Sequence, residues 1–321
     1  METDCINRHR RKIPVRITPI QLPSTTGSPY ILDVVEDLTA LREMEARLSQ
    51  ATGQGQIIGR SPAMEKILRL VPVIAQHDSP VLITGETGTG KDLLAESVHK
   101  ASPRSREPFV RFSCGPMSAE MLDAELFGRM VGDGAELKPG RFHQAQGGTL
   151  YLSEIADLPL VQQAGLVRYL DEGTILPIGA SKPVRITTRI MASTAELPEK
   201  LIKDGRLRED LFHRISAIRL HLPRLTERGE DLEFLLHHFL SHYTARFKKN
   251  ITSITPKALR VIRSHEFPGN VRELKNIMEF AVMVCTGDQI STEHLPGHLP
   301  GAMEQTGRPG SSARTNTRKK A

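Results

Sequence analysis

The sequence has few cysteines and no long apolar run, and each scarcity excludes a class of protein. Its three cysteines, Cys5, Cys114 and Cys285, lie far apart in 321 residues, which excludes a disulfide framework and a cysteine-based metal cluster. No stretch reaches the roughly 18 uncharged apolar residues that a membrane helix needs. The opening residues, METDCINRHRRK, also lack the apolar segment of a secretory signal. We therefore expect a cytoplasmic protein with no membrane partner.

Charge is nearly balanced, with 43 basic residues against 37 acidic ones. The excess lies largely in two runs, RHRRK near residue 8 and RTNTRKKA at the end. Such runs are typical of solvated tails, so composition alone does not indicate specific binding of nucleic acid. A hydrophobic content of 39% with 25% charged residues is ordinary for a globular protein. The length is sufficient for more than one domain.

The first part of the chain predicts two strands around a turn, at residues 13–22 and 30–36. A helix with one apolar face is predicted after them, formed by Leu38, Leu41, Met44 and Leu48. Two interpretations of this helix stay open. It is either a connector packed on a neighbour, or a short coiled coil that passes a signal between subunits.

From residue 79 onwards, short apolar strands alternate with helical segments, which is typical of a parallel sheet with crossover helices. The predicted strands are residues 80–85, 108–113, 149–153, 188–193 and 217–222. Helical spacing of apolar residues predicts helices at 63–76 and 92–100, and after Pro223 an all-helical region with helices at 231–247, 256–267 and 270–284. Residues 298–321 are rich in Gly, Ser, Thr, Arg and Lys, and we expect a disordered tail there. The fold class is therefore α/β.

A glycine-rich loop joins the strand at 81–84 to the next helix. It contains Gly85, Glu86, Thr87, Gly88, Thr89, Gly90 and Lys91, and Asp92 follows. Glycines let backbone N–H groups approach phosphates, the helix dipole favours negative charge, and a lysine at this place reaches the β and γ oxygens. The sequence therefore predicts a nucleotide-phosphate site. Asp92 occupies the position where a Ser or Thr hydroxyl normally meets magnesium, and by itself it argues against metal-dependent hydrolysis.

Seven blocks of sequence follow one another in a recognisable order: GETGTGKD, ELFG, GRF, GGTLYLSEI, GRLREDLFHRI, LPRLTERGEDL and FPGNVRELKN. Together they resemble the central AAA+ domain of bacterial enhancer-binding proteins, the sigma-54-dependent transcriptional activators, over about residues 56–297. The resemblance implies an AAA+ P-loop NTPase with a parallel-sheet core (56–224) and a smaller C-terminal helical lid (225–297). Residues 1–37 resemble the final strands of a PAS sensor domain, and 38–55 would be a signalling helix and linker.

The resemblance also implies roles for particular residues, with ATP and Mg²⁺ as cofactors. Lys91 and the amides of Gly88 and Gly90 would bind phosphates, and an acid after the lysine, here Asp92, is usual in the family. Glu154 would be the general base that orients water. Ser153 and Glu154 would hold magnesium weakly, through water.

The resemblance assigns further residues to the site of the adjacent subunit and to the binding of adenine. Arg208 and Arg214 match paired arginine fingers that complete the site of an adjacent subunit. Arg272 matches the sensor arginine of the lid, while Ile57, Ile58 and Gly59 lie where the family holds adenine. A site shared between subunits implies a homo-oligomer, which in this family is a hexameric ring.

The sequence departs from the family's usual residues at positions that serve ATP hydrolysis and in the loop that contacts sigma-54. Ser153 replaces an aspartate, and Ser113 and Ala195 replace asparagines, so we expect impaired hydrolysis. The loop RMVGDGAELKP is shorter than usual and lacks the GAFTGA motif, which argues against productive engagement of sigma-54; RNA polymerase with another sigma factor is the alternative partner. Residues after the lid lack a two-helix apolar pattern, so we expect no specific DNA binding by this chain.

Three hypotheses for function remain open. The first is an ATP-hydrolysing transcription regulator that acts as a ring, favoured by Lys91, Glu154 and the three matching arginines. The second is a nucleotide-binding regulatory or co-assembly subunit without turnover, favoured by Ser153, Ser113 and Ala195. The third is a truncated, non-functional paralogue. All three predict the same fold and the same phosphate site.

Overall fold

The computed structural model describes residues 2–6, 12–22, 30–37, 57–115, 117–132 and 136–299. The chain divides into two compact units, residues 1–56 and residues 57–321. No helix within these ranges is long and apolar enough to cross a membrane.

The first unit contains an antiparallel sheet of three strands, β1 Glu2–Ile6, β2 Lys12–Leu22 and β3 Tyr30–Asp37. Strand β2 lies in the middle and pairs with both others. The two predicted strands are confirmed, whereas β1 was not predicted because its segment, ETDCI, begins with three polar residues and shows no apolar alternation. The helix predicted from residue 38 lies outside the described residues, and the resemblance to a PAS domain stays a prediction.

The second unit is built around a parallel sheet of five strands in the order β12-β4-β11-β8-β5. Short antiparallel ribbons and one parallel pair accompany it. The strands of this unit are β4 Val81–Thr84, β5 Phe109–Ser113, β6 Arg129–Val131, β7 Glu136–Lys138, β8 Thr149–Ser153, β9 Thr174–Ile175, β10 Val184–Arg185, β11 Arg189–Thr194, β12 Ile218–His221, β13 Ser253–Ile254 and β14 Gln289–Ile290. All five predicted core strands are confirmed.

Both faces of the central sheet are buried, because successive side chains of a strand point to opposite faces. Leu150 and Leu152 of β8 pack into one hydrophobic cluster, and Tyr151 between them packs into the other. Leu82 and Ile83 of β4 divide in the same way. The near-continuous apolar strands of the sequence thus correspond to a sheet covered by helices on both sides.

The helices of this unit are α1 Pro62–Ala75, α2 Lys91–Lys100, α3 Ala119–Phe127, α4 Arg141–Gln144, α5 Leu160–Glu172, α6 Pro198–Lys203, α7 Glu209–Ile215, α8 Asp231–Phe247, α9 Pro256–Arg263 and α10 Asn270–Val284. Helix α1 shows why such segments are helical. Ser61 caps its N-terminus by accepting from Met64 N–H, Pro62 occupies the first turn, and apolar side chains recur on one buried face.

Helices α8, α9 and α10 form a lid with its own hydrophobic core. The predicted spans of α8 and α10 are confirmed. Helix α9 ends at Arg263 rather than at Phe267, because Phe267 precedes a proline and has a φ of 50°. The prediction of an all-helical lid was also wrong in one detail, since β13 and β14 pair in parallel.

The loop between ELFG and GRF contains two short strands that the sequence did not predict. Strands β6 and β7 pair antiparallel in a hairpin, with Met130 opposite Leu137. Arg129 also forms a parallel bridge with Ile178. Residues 133–135, between the two strands in sequence, lie outside the described residues.

Candidate nucleotide site

The phosphate loop connects β4 to α2 at the carboxyl edge of the central sheet. Three of its glycines have positive φ values: Gly85 at 147°, Gly88 at 82° and Gly90 at 106°. A Cβ atom on Gly88 would lie 2.1 Å from the carbonyl oxygen of Gly269 in the lid. Gly88 is therefore required both by its own conformation and by the close approach of the lid backbone.

Lys91 begins α2, and its side chain is only 6% exposed. Its Nζ atom donates to the carbonyl oxygen of Gly85 at 2.8 Å and lies 3.0 Å from Oε1 of Glu154. The structure thus brings together the predicted phosphate-binding cation and the predicted general base.

Glu154 follows β8 directly and adopts a left-handed conformation, with φ 54° and ψ 60°. Such a conformation costs a non-glycine residue about 1–3 kcal/mol and is most often found where function requires a particular side-chain direction. Its second carboxylate oxygen accepts from the backbone N–H of Ala195 at 2.8 Å. The side chain of Ala195 replaces the asparagine usual in the family, but the backbone N–H at this position still contacts Glu154.

Ser153 ends β8 and lies opposite Ser113 of β5 in the sheet register. Its hydroxyl is 3.5 Å from the carbonyl oxygen of Phe112, a weak hydrogen bond. The described residues contain no group of three or more His, Cys, Asp and Glu side chains arranged to hold a metal. The donors present, one hydroxyl and the Glu154 carboxylate, are oxygens that fit a magnesium ion held mainly through water.

Asp92 lies in the first turn of α2 and contacts the middle of the sheet. The hydroxyl of Tyr151, a fully buried residue of β8, donates to Oδ1 of Asp92 at 2.8 Å and lies 2.8 Å from Oγ of Ser193. Burial, together with the nearby carboxylates of Asp92 and Glu154, raises the pKa of Tyr151 well above its usual range. The tyrosine therefore remains a neutral hydrogen-bond donor, and it fixes the Asp92 side chain beside the phosphate loop.

Glu86 directs its side chain to the lid side of the loop. Its Oε1 lies 2.8 Å from Nε of Arg224, and its Oε2 accepts from Nδ2 of Asn270 at 3.2 Å. Thr89 turns inwards, with its hydroxyl donating to the carbonyl oxygen of Glu86 at 2.8 Å. With its carboxylate engaged by the lid, Glu86 contributes to the predicted phosphate site through its backbone.

The residues predicted to hold adenine lie next to the phosphate loop and the lid. Ile57 packs with the core cluster that includes Leu94 of α2, and Ile58 packs against the lid core. A Cβ on Gly90 would lie 3.9 Å from Cδ1 of Ile57. Arg272 joins this group through its backbone, because its N–H donates to the carbonyl oxygen of Gly88 at 3.3 Å.

The two predicted arginine fingers flank α7 and are both partly exposed. Arg208 precedes the helix and forms two hydrogen bonds to the carboxylate of Asp210, at 2.9 and 2.7 Å. Arg214 lies in the last turn and binds both oxygens of Asp171 at the end of α5, at 2.6 and 2.9 Å. These paired acids raise the pKa of both guanidinium groups. Neither acid was predicted as a partner of these arginines.

A buried glutamine links the arginine segment to the segment that follows Glu154. The Nε2 atom of Gln163 donates to the carbonyl oxygens of Leu158 and Arg206, at 2.7 and 2.8 Å, and its Oε1 accepts from the N–H of Arg208 at 2.8 Å. Gln163 is fully buried. A glutamine inside an otherwise apolar helical pattern was the signal in the sequence that could have revealed this contact.

Comparison with known proteins agrees with this geometry. Residues 57–221, just over half of the chain, match the family model described as the sigma-54 interaction domain. Residues 226–312 match the AAA+ ATPase lid domain.

Individual relatives show the same similarity. The chain is 40% identical over 258 residues to the transcriptional regulator UacR of Escherichia coli, covering 78% of this chain and 44% of the relative. It is 39% identical over 262 residues to the regulatory protein AtoC of Escherichia coli, covering 81% of this chain and 57% of AtoC. It is 38% identical over 246 residues to the DNA-binding transcriptional regulator NtrC of Escherichia coli, covering 76% of this chain and 52% of NtrC. The chain thus spans about half the length of these relatives.

Solved structures show the same fold. Brucella abortus NtrX in complex with ADP superposes with a TM-score of 0.70 at 33% identity, covering 80% of this chain and 59% of that one. The NtrX complex with ATP gives a TM-score of 0.69 at 32% identity, covering 81% and 62%. This chain has the fold of an AAA+ P-loop NTPase with a helical lid, and it belongs to the sigma-54 interaction domain family found in sigma-54-dependent transcriptional activators.

Proposed function

We propose that this chain binds ATP in the loop Gly85–Lys91. The observation that carries the proposal is the position of Lys91, whose ammonium is buried at the start of α2 between the Gly85 carbonyl and the Glu154 carboxylate. Without nucleotide, the Glu154 carboxylate and the Gly85 carbonyl offset the desolvation of this ammonium, and a phosphate would take the place of that carboxylate. The helix N-terminus and the loop amides supply the remaining attraction for phosphates, and NtrX, a structural relative, has been solved with ATP.

Hydrolysis by this site is expected to be slow. Glu154 lies close enough to Lys91 to reach the γ-phosphate region, and the Ala195 N–H orients its carboxylate. As general base it would take a proton from the attacking water. Mg²⁺, held by Ser153 and Glu154 through water, would supply charge neutralisation at the phosphates. A neutral hydroxyl at Ser153 holds that ion less well than a carboxylate, which is the reason for the slow rate.

The site is completed by a second copy of the chain in this proposal. Arg208 and Arg214 are partly exposed and lie at the two ends of α7, a helix separate from the phosphate loop. Guanidinium groups suit the charge spread over a transferring phosphoryl group. A ring, hexameric as the resemblance implies, would place them at the phosphates of the adjacent subunit.

The output of the ring is regulation of transcription. Membership of the sigma-54 interaction domain family supports this, as do the transcriptional regulators among the relatives. The hairpin β6–β7 occupies the place of the family's output loop, and its sequence lacks the GAFTGA motif. We therefore expect weak engagement of sigma-54 and propose RNA polymerase with another sigma factor as the alternative target.

A second candidate is a nucleotide-binding subunit that assembles with active partners and has no turnover of its own. The ion pair between Lys91 and Glu154 favours it, because the base is held on the lysine rather than free for water. The neutral Ser153 favours it as well.

Steady-state ATP hydrolysis separates the two candidates. Purified protein is compared with Glu154→Ala and with Glu120→Ala, a control that removes an acid from the first turn of α3. The ATPase proposal predicts a low rate that survives in Glu120→Ala and disappears in Glu154→Ala. Equal background rates in all three proteins would contradict it and leave the binding subunit.

A further inference from the structure

Three consecutive carbonyl groups of the phosphate loop accept hydrogen bonds from the lid side of the protein. Nδ2 of Asn270 donates to the carbonyl oxygen of Thr87 at 3.1 Å. The N–H of Arg272 donates to that of Gly88 at 3.3 Å. Nη2 of Arg228 donates to that of Thr89 at 2.6 Å. The outer edge of the loop is therefore held almost continuously by residues 228–272.

These contacts fix the direction of the amides on the other edge of the loop. A peptide unit is planar and normally trans, so its C=O and N–H point in opposite directions. The carbonyl of Thr87 shares a peptide unit with the N–H of Gly88, and the carbonyl of Thr89 shares one with the N–H of Gly90. Holding both carbonyls on the lid turns both amides away from it, towards the side where phosphates are proposed to bind.

Arg228 adds charge to this arrangement. It is 1% exposed, and its guanidinium donates to two neutral carbonyls, those of Thr89 and of Pro223 at 3.1 Å. Burial lowers the pKa of Arg228, and the charge of Asp231 partly offsets this effect. The carboxylate of Asp231 accepts its hydrogen bonds from the Arg60 and Ser61 amides and from the Ser61 hydroxyl. A buried cation of this kind is costly unless an anion lies within reach. Asp231 is one such anion, and the phosphates of a nucleotide, on the opposite edge of the same loop, would be a second.

The backbone conformation and the side chain of Asn270 both suit a contact between the lid and the phosphate loop. It has a φ of 51°, a left-handed conformation that asparagine tolerates better than most residues. It is 1% exposed, and its Oδ1 accepts from the N–H of Leu225 at 2.8 Å. One side chain thus joins the phosphate loop, the connection into the lid and the start of α10.

We propose that Arg228 and Asn270 are positioning residues of the phosphate site: from the lid they hold the loop so that the Gly88 and Gly90 amides face the phosphates, and Arg228 adds a buried positive charge behind them. The proposal rests on nucleotide binding at this loop. The lid is then part of the phosphate site, and affinity for phosphate depends on lid residues that do not touch the nucleotide.

The first test measures affinity for adenosine, AMP, ADP and ATP. Arg228→Met removes the charge at similar length, Arg228→Lys retains it, and Arg260→Met on the exposed face of the lid is the control. Because hydrogen bonds to charged groups are worth about 1.5–3 kcal/mol, Arg228→Met is expected to lose about tenfold or more for ATP, less for ADP and nothing for adenosine. Arg228→Lys should recover part of the loss. An equal loss for all four ligands would show a merely structural role and overturn the proposal.

The second test needs no nucleotide. Hydrogen exchange of the loop peptide, residues 85–91, is compared between wild type, Arg228→Met and Asn270→Gly, which keeps the left-handed backbone while removing the side chain. Loss of one carbonyl contact should raise exchange about fivefold or more in the folded protein, since a buried hydrogen bond contributes about 1 kcal/mol or more. Unchanged exchange in both variants overturns the proposal. If wild type binds no ATP, the proposed function fails, and the exchange result still decides whether the lid orders the loop.

Discussion

The Nζ atom of Lys91 lies 3.0 Å from Oε1 of Glu154, so the cation of the phosphate loop and the acid at the end of β8 form an ion pair. We propose these same two groups for binding phosphate and for activating water. Each must therefore leave the other when ATP binds. The competition between Glu154 and phosphate for Lys91 sets the balance between binding and turnover in this account.

Replacing Glu154 by Gln should tighten ATP binding. The substitution removes the charge that competes for Lys91 but keeps the shape of the side chain. The pair joins a buried lysine to a partly exposed acid. If it is worth about 1 kcal/mol, the upper value for exposed pairs, affinity should rise by about fivefold while turnover is lost. Titration with a fluorescent ATP analogue measures the affinity. Weaker binding by the variant would mean that Glu154 supports the phosphate site instead of competing with it.

Restoring an acid at the end of β8 should increase turnover. Ser153→Asp supplies the carboxylate that helps hold magnesium, and we expect a gain of up to about tenfold in the hydrolysis rate. The double variant Ser153→Asp with Glu154→Ala is the control, and it should show no gain. A single variant that stays at the wild-type rate would place the limiting defect at Ser113, at Ala195 or in assembly.

Removing the arginines should abolish turnover without weakening the binding of ATP. Arg208→Ala and Arg214→Ala each remove a charge from the proposed site of the neighbouring subunit. We expect each to lower the rate of ATP hydrolysis about a thousandfold, or to background. Arg219→Ala, which removes an exposed arginine paired with Glu199, is the matched control.

Mixing experiments test the same claim. An Arg214→Ala chain retains its own phosphate loop, and a Glu154→Ala chain retains its arginines, so a mixed ring contains some complete sites. Partial recovery of hydrolysis on mixing is expected. Activity that simply averages the two inactive proteins would contradict a shared site.

Stability should fall as the pH drops below about 6.5, and His99 should account for part of the loss. This ring is 4% exposed, with Nδ1 lying 3.0 Å from Oγ1 of Thr149, and burial lowers the pKa of His99 below its ordinary 6.5. The unfolded chain then binds the proton more readily than the folded one, so stability rises with pH through this window. Burial lowers the pKa of His143 and His238 as well, with the same sign.

Chemical denaturation between pH 5 and 7.5 measures this effect. His99→Asn is expected to be less stable overall, and its stability should change less with pH than that of the wild type. An unchanged slope would assign the pH dependence to other groups. The acids with lowered pKa, such as Asp78 beside Arg104, titrate below this range and do not contribute to the change in stability measured within it.

The sequence predicted those parts of the fold that depend on local patterns. Strand β8 and helices α8 and α10 have the predicted bounds, because their apolar residues recur at the periods of a strand and a helix. The phosphate loop was identified from another local pattern, its glycines and lysine between a strand and a helix. The hairpin β6–β7 was missed because its strands pair with each other and with the distant Ile178, which no local pattern shows. The early end of α9 was missed although the proline after Phe267 marks it locally.

Contacts between distant residues could not be predicted from one sequence. Arg214 and Asp171 are 43 residues apart, and Arg228 and Thr89 are 139 apart. The N–H of Ala195 was missed for a different reason, because every residue but proline has a backbone donor and no side-chain pattern shows which one is used. The sequence could name candidate site residues, but not the partners that position them.

The most direct test of the account is the affinity for ATP of wild type, Lys91→Ala and Lys100→Ala, measured by calorimetry. Lys100, at the other end of α2, pairs with Glu96 and serves as the matched control. The account predicts that wild type and Lys100→Ala bind ATP with similar affinity and that Lys91→Ala does not bind measurably. Absence of binding by the wild type, or equal binding by all three proteins, would contradict a phosphate site at Lys91.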